Sequence, residues 1–384
     1  MRNKMGEFPG PEVETEQKPP FQETLHRIYQ IMQENNIYGV RAWTNNRLFD
    51  LVHSDPQVEK ELEDKLLESL QKDRNGFLVF EGANPDKKTV IFKMKLENSQ
   101  DDRGTGHNEE YFYEDIVPEI KANWPVDLVR VKLPELYESG QTTEGSYVVT
   151  EFAEGEQVGN VKETDHPLTD EEFDELVKFI RFFHNLLPPD KVKSISPRMD
   201  FNLPGDAPNF DFYERKFEAH RPMLSKMLGE DYVAKMGQTL SENADLMKNS
   251  PPCFVNQDIV PANLVRSEDK LTIIDWERLK ISPNPAAPYS HLIESHWQWP
   301  ERQNQMIQKA LEANKDIPHF KDFLRLDMIF FKYSIGYWWS REKPDNLPQK
   351  QELYDSGSQA LVDFLKDAID KKGVWEDKEE TGNE

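Results

Sequence analysis

The chain has 384 residues, 37% hydrophobic and 11% aromatic, enough for two ordinary domains or one two-lobed unit. Its 47 Lys and Arg against 71 Asp and Glu leave a formal charge of −24, which repels phosphate backbones and anionic lipid and argues against nucleic-acid or membrane partners. A single cysteine, Cys253, excludes an internal disulfide framework and a cysteine-built metal site, and no apolar run approaches the ~20 residues of a membrane span, so a cytoplasmic protein is expected.

Residues 1–20 are rich in Pro, Glu and Lys and are expected to be disordered, as is the tail 374–384. Apolar residues at helical spacing predict helices over 21–35 and 56–72. The period then changes. The stretch "GFLVFEGANPDKKTVIFKMKL" (76–96) is two apolar runs around a turn-rich centre, which reads as a β-hairpin. A helix follows in "NEEYFYEDIVPEIKANW", then strands in "VDLVRVKL" and "SYVVTEF". The polar segment 153–167 reads as a connector, dividing a β-rich unit with a helical extension (21–152) from a helical unit (153–373).

The second unit opens on Thr169 with Glu172 three residues later, a capping box. Two helices are expected within 210–249, and two or three within 301–372. Between them lie two short β-rich runs, "CFVNQDIVPANLV" and "LTIIDWERL". These runs place Asp258, Asn263 and Asp275 where burial would make unpaired polar groups costly. Phosphoryl transfer explains such a placement: it needs a carboxylate near the accepting hydroxyl and oxygen ligands for Mg²⁺. Cys253, at the start of a strand, is expected to be a small buried side chain.

The motifs "NQDIVPAN" and "IIDWE" resemble the H-[GN]-D-[LIV]-x-x-x-N and [IV]-D-[WFL]-E segments of the aminoglycoside phosphotransferase and choline kinase branch of the protein-kinase-like superfamily. The resemblance covers about residues 76–340. It implies an α+β, two-lobed fold with a small β-rich N-lobe and a large mainly helical C-lobe. Asp258 would orient or deprotonate the acceptor hydroxyl, and Asn263 and Asp275 would hold Mg²⁺ against the phosphates of ATP. Lys93, ending a strand run, would reach the α- and β-phosphates, with Lys95 on the same strand face as its rival. Glu109 would pair with that lysine; Glu110 and Glu114 are the alternatives. The backbone around Glu151 and Phe152 would meet adenine, and His184 reads as structural.

Three departures stand out. Asn256 replaces the usual His before the catalytic Asp, and Ser290 or His291 stands where relatives carry an Asp that braces the catalytic loop. No Gly-rich phosphate loop is recognisable before residue 76, "KDRNG" being the nearest candidate. The expectation is therefore a small-molecule kinase that uses ATP and Mg²⁺, the alternative being a nucleotide-binding pseudokinase or scaffold without turnover. Trp297, Trp299, Trp338 and Trp339 with Glu294 suggest a box for a cationic alcohol such as an amino sugar or amino alcohol, although core packing is the blander account of these rings.

Overall fold

A computed structural model describes residues 21–44, 47–50, 77–96, 106–142, 145–159, 167–199, 210–296, 299–341 and 348–376. The predicted helix at 56–72 and both expected disordered tails lie outside these residues, apart from 374–376. Chain order begins with α1 (Phe21–Glu34), β1 (Tyr38–Thr44), β2 (Arg47–Asp50), β3 (Phe77–Ala83) and β4 (Thr89–Leu96). The expected hairpin is β3–β4, paired antiparallel from Phe77–Lys95 to Ala83–Thr89. Strand β7 (Gly145–Glu151) lies on the other side of β4, and β6 (Leu136–Gln141) follows at the edge, giving a six-stranded sheet in the order β2-β1-β3-β4-β7-β6.

Alternation along β4 divides its duties. Val90, Phe92 and Met94 are fully buried on one face, while Lys93 and Lys95 point to the other. The buried face meets α1, whose Ile28, Ile31 and Met32 form an apolar stripe at helical spacing. Burial of each such side chain contributes roughly 1.5–3 kcal/mol. Helix α1 thus closes the back of the sheet and leaves the Lys93 face for the cleft.

Two strands were not apparent from pattern, and one expected strand is mostly absent. Strands β1 and β2 carry mixed polar and apolar residues without clean alternation. Of the expected strand over 126–133, only β5 (Val131–Lys132) forms. Upstream of it the backbone N–H groups of Val129 and Arg130 donate instead to Glu175 Oε2 at 2.9 and 3.0 Å, and Val126 is 97% exposed. A side-chain carboxylate has taken the donors a strand partner would need.

Helix 106–122 is a composite: α2 (Gly106–Tyr111), a π turn (Phe112–Ile116) and α3 (Val117–Ala122). Pro118 sits in the first turn of α3, where its missing N–H costs little. The second unit follows with α4 (Asp170–Leu186), α5 (Pro189–Ile195), α6 (Phe210–Leu228), α7 (Glu230–Glu242) and α8 (Ala244–Asn249). The capping box forms as expected: Glu172 N–H donates to Thr169 Oγ1 at 3.2 Å, and Thr169 N–H to Glu172 Oε2 at 2.7 Å.

The two β-rich runs become β9 (Cys253–Asn256), β10 (Leu264–Arg266), β11 (Leu271–Ile273) and β12 (Leu279–Ser282). β10 and β11 join β5 and β8 (Glu156–Gln157) in a second sheet, ordered β5-β11-β10-β8, while β12 pairs with β9. Gly155 makes the β8 contact possible, since a Cβ there would lie 2.2 Å from the Arg266 carbonyl oxygen. Helices α9 (Ala287–Glu294), α10 (Pro300–Ala313), α11 (Phe320–Arg341) and α12 (Pro348–Ile369) complete the larger lobe. Cys253 opens β9 half-buried rather than fully buried; its thiol is pushed up to about 12 by desolvation and contacts the Ser282 carbonyl. Among the described residues no helix is long and apolar enough to cross a membrane.

Candidate functional site

Each polar residue singled out in the two β-rich runs is positioned by a turn at the end of a short strand. After β9 the chain leaves the β9–β12 ladder, and Asp258 N–H donates to Asn256 Oδ1 at 2.9 Å. The Asn263 side-chain amide closes this loop by donating to the Asp258 carbonyl at 3.0 Å and to Asp258 Oδ2 at 3.1 Å. Its N–H group is thereby used inside the loop, and the amide oxygen is the atom left with lone pairs for a cation. After β11, Ile274 N–H donates to the Asn263 carbonyl at 2.9 Å, tying the two turns together. Asp275 then adopts φ = +64°, a left-handed conformation that Asp tolerates better than most residues and that often marks a working site. That turn carries its side chain to Lys93.

Lys93 gathers the acidic groups. Its Nζ lies 2.6 Å from Asp275 Oδ1, 2.7 Å from Glu109 Oε2 and 3.4 Å from Glu277 Oε2. Glu109 also accepts from Trp276 N–H at 3.3 Å, so the helix 106–122 and the Asp275 turn are stapled to each other. Phe112 stacks on Trp276 with ring centroids 4.1 Å apart directly beneath this staple. The residues brought together are therefore Lys93, Glu109, Asp258, Asn263 and Asp275.

The rivals fall elsewhere. Lys95 is buried on the same face, and Lys93 ion-pairs with Asp275, Glu109 and Glu277. Glu114 binds Arg198 and Ser139, and Glu110 is pushed up to about 7 by burial and by Glu114. Around Glu151 and Phe152 the backbone N–H groups are already committed, to the Glu135 and Thr89 carbonyls at 2.8 and 3.3 Å. The Glu151 side chain pairs with Lys132 at 2.6 Å.

Electrostatics follow from crowding. Lys93 holds its proton well above the usual lysine range, because three carboxylates outweigh the burial that opposes its charge. Burial raises Glu109, partly offset by Lys93. Glu277 is raised to about 7 by burial and by the neighbouring Asp275 charge. Asp258 is raised as well, by burial, against the pull of the Arg278 guanidinium 3.7 Å away.

Oxygens of Glu109, Asp275 and Glu277 lie within 4.8 Å of one another, a spacing that suits a cation. Four carboxylates (Glu109, Asp258, Asp275, Glu277) face two cations (Lys93, Arg278), so the donor set has the excess negative charge a divalent ion would neutralise. Glu277 and Arg278 were missed from sequence as site residues. Both lie inside "IDWERL", beside Asp275 in the turn after β11, and that adjacency was the available signal.

The departures acquire a structural account. Asn256 uses its oxygen to hold Asp258 N–H, but its Nδ2 is buried without a partner. The place of the bracing Asp is divided between two residues. His291 hydrogen-bonds the backbone at Gln257, and burial with the nearby Arg278 charge lowers it to about 3, keeping it neutral. Ser290 Oγ donates to Asp327 Oδ2 on α11, whose other oxygen accepts from Tyr213. His184 is half-buried, and desolvation with the nearby Arg181 charge lowers it to about 4. In the aromatic region, Glu294 is 3% exposed, and Trp297 lies outside the described residues.

Asp327 is fully buried and raised to about 7 by that burial. Its folded pKa exceeds the usual 3.8, so the native state holds a proton that the unfolded chain releases. The stability this lends is full below the usual value and is lost as pH rises through about 7. Asp327→Asn is expected to flatten this trend, the wild type losing up to ~1.4 kcal/mol per pH unit within the window. Thermal melts of both proteins at several pH values check it: the melting-temperature difference should move in favour of the variant as pH rises.

Comparison with known proteins places this architecture. No protein-family profile matches the chain, and no curated protein matches its sequence. Among solved structures, the GDP complex of wild-type aminoglycoside 2'-phosphotransferase-IIIa aligns with a TM-score of 0.52 at 14% identity, covering 89% of this chain and 98% of that one. The GDP and kanamycin complex of APH(2″)-IIIa aligns with a TM-score of 0.51 at 14% identity, covering 89% and 99%. The fold is that of the aminoglycoside phosphotransferases, a two-lobed protein-kinase-like α+β fold.

Proposed function

We propose that this protein is an ATP- and Mg²⁺-dependent phosphotransferase acting on a hydroxyl group of a small molecule. The observation that carries this reading is the meeting of Lys93, from the small sheet, with Asp275, from the large lobe, beside the Asp258–Asn263 loop. Lys93, fixed by Glu109, would grip the α- and β-phosphates. Asp258 would accept the proton of the acceptor hydroxyl as its oxygen forms a bond to the γ-phosphorus. The bond from that phosphorus to the bridging oxygen breaks, and ADP leaves. A raised Asp258 pKa suits this role, since a base works best with a pKa near the working pH. Asn263 and Asp275, with Glu277 beside them, would hold Mg²⁺, which when bound neutralises phosphate charge. Because the N–H groups of Glu151 and Phe152 are occupied, adenine would find a donor beyond them, from Ala153 onward.

The acidic surface favours a cationic acceptor, an amino sugar or amino alcohol. Transfer of labelled phosphate from ATP across a panel of amino sugars, choline, amino alcohols and neutral sugars tests the reading. Nucleotide binding with no transfer to any of them would support the alternative of a nucleotide-binding pseudokinase, which the unpartnered Asn256 Nδ2 beside the loop favours. Asp275→Ala is expected to weaken Mg·ATP binding at least ~10-fold, about 1.4 kcal/mol, as titration calorimetry would register. It should change binding of ATP without metal much less.

A further inference from the structure

Helix 106–122 carries Glu109, and its position decides whether Glu109 meets Lys93. Its two α-helical pieces are six residues each, too short to be stable alone. Apolar packing of Phe112, Ile116 and Ile120 attaches it to the core and sets which face it buries, leaving the fine setting of Glu109 against Lys93 to polar contacts. One residue of slippage turns a helix by about 100°, which would present Glu110 in place of Glu109. Directional contacts refine that rotation: Ser139 Oγ and Gln141 Nε2 on β6 donate to Glu114 Oε1 at 2.6 Å and to the Tyr111 hydroxyl at 3.4 Å, and others come from the large lobe. Arg198 Nη2 lies 2.7 Å from Glu114 Oε2 and 3.1 Å from Asp115 Oδ1, with its guanidinium 4.5 Å from the centre of the Tyr111 ring. Ser196 Oγ donates to Asp115 Oδ2 at 2.7 Å, and Lys191 reaches Glu119 Oε1 at 2.6 Å. Glu114 and Asp115 both lie in the π turn, where the backbone departs from regular geometry.

We propose that Arg198 is a positioning residue for the Lys93–Glu109 pair, clamping the π turn of the 106–122 helix from the large lobe. Lys191 and Ser196 assist from the same segment. The clasp bridges the two lobes, so the nucleotide-gripping pair is assembled before nucleotide arrives. In importance for phosphate binding this inference rests on the kinase reading; the clasp itself does not. The Arg198 side chain is 47% exposed, so salt weakens the clasp.

The test compares wild type with Arg198→Ala and Arg198→Lys in two measurements. In the first, titration with a Mg²⁺-bound nonhydrolysable ATP analogue at low salt should give about three- to tenfold weaker binding for Arg198→Ala. Arg198→Lys should recover part of the loss, because one ammonium cannot fork across two carboxylates. At about 0.5 M salt the difference from wild type should shrink, since screening is then nearly complete. In the second, amide hydrogen exchange over 106–122 should speed up in Arg198→Ala without nucleotide, while the melting temperature stays near that of wild type. Equal affinity at low salt together with unchanged exchange would overturn the proposal. If wild type binds no nucleotide, the kinase reading falls, and the exchange comparison still decides the clasp.

Discussion

Replacing Asp258 by Asn is expected to lower turnover about 10²- to 10⁴-fold, the usual contribution of a positioned general base, while binding of Mg·ATP stays within a fewfold of wild type. The loop geometry survives the change. Asp258 N–H still donates to Asn256 Oδ1, and the new side chain keeps an oxygen to accept from Asn263 Nδ2. Only the 3.7 Å contact with Arg278 loses its charge partner. Burial disfavours the ionised form of Asp258, so a neutral Asn removes an electrostatic cost. The folded state should therefore gain stability at neutral pH as activity collapses. That opposition of signs separates a catalytic carboxylate from a structural one, whose loss would lower both. Single-turnover transfer with saturating ATP, alongside thermal melts, reads the two quantities. Full activity in the variant would remove Asp258 from the chemistry.

The parts of the site legible in the sequence are those whose spacing is local. Asp258 and Asn263 lie five positions apart in one loop, and Asp275 closes the next strand, so short-range pattern brought them together on paper before the sheets did. Lys93 was readable because β4 alternates, sending Val90, Phe92 and Met94 one way and the lysines the other. The choice between Lys93 and Lys95 was not readable. Both share a face, and the decision rests on the depth at which Glu109 and Asp275 approach from distant segments.

What pattern missed was held by long-range side-chain contacts. The expected strand at 126–133 lost its upstream half to Glu175, 45 or more positions away. Asp327 takes over a partner for Ser290 from a helix 37 positions downstream, a compensation that no motif encodes. Arg198 sits in a stretch with no pattern of its own, yet it reaches the helix that carries Glu109 through Glu114 and Asp115. Helix existence was plain over 108–124; its π turn, packed against Trp276, left no trace in periodicity.

Lys93→Met is expected to convert the cluster into a divalent-cation site that no longer needs nucleotide. In the present arrangement the Lys93 ammonium sits among the oxygens of Asp275, Glu109 and Glu277, at 2.6, 2.7 and 3.4 Å, and so holds the place that a cation would take. A divalent ion approaching these carboxylates meets a positive charge at close range, and one pair of unit charges 4 Å apart costs about 4 kcal/mol at an effective dielectric of 20. Phosphates supply a competing anion for the ammonium, so in wild type metal and nucleotide should bind together. Methionine has nearly the same reach and no charge, and it leaves three carboxylates within 4.8 Å of one another without a cation between them. Mn²⁺ affinity without nucleotide, read from the free-ion signal in electron paramagnetic resonance, should rise at least ~10-fold, about 1.4 kcal/mol and well below the Coulomb limit. Nucleotide affinity should fall in the same variant, because the group proposed to grip the phosphates is gone. Asp275→Ala in the Lys93→Met background should abolish the new Mn²⁺ site, which places the ion at the carboxylates and not on the acidic surface. Wild type binding Mn²⁺ as tightly as Lys93→Met in the absence of nucleotide would show that the ammonium does not guard the site.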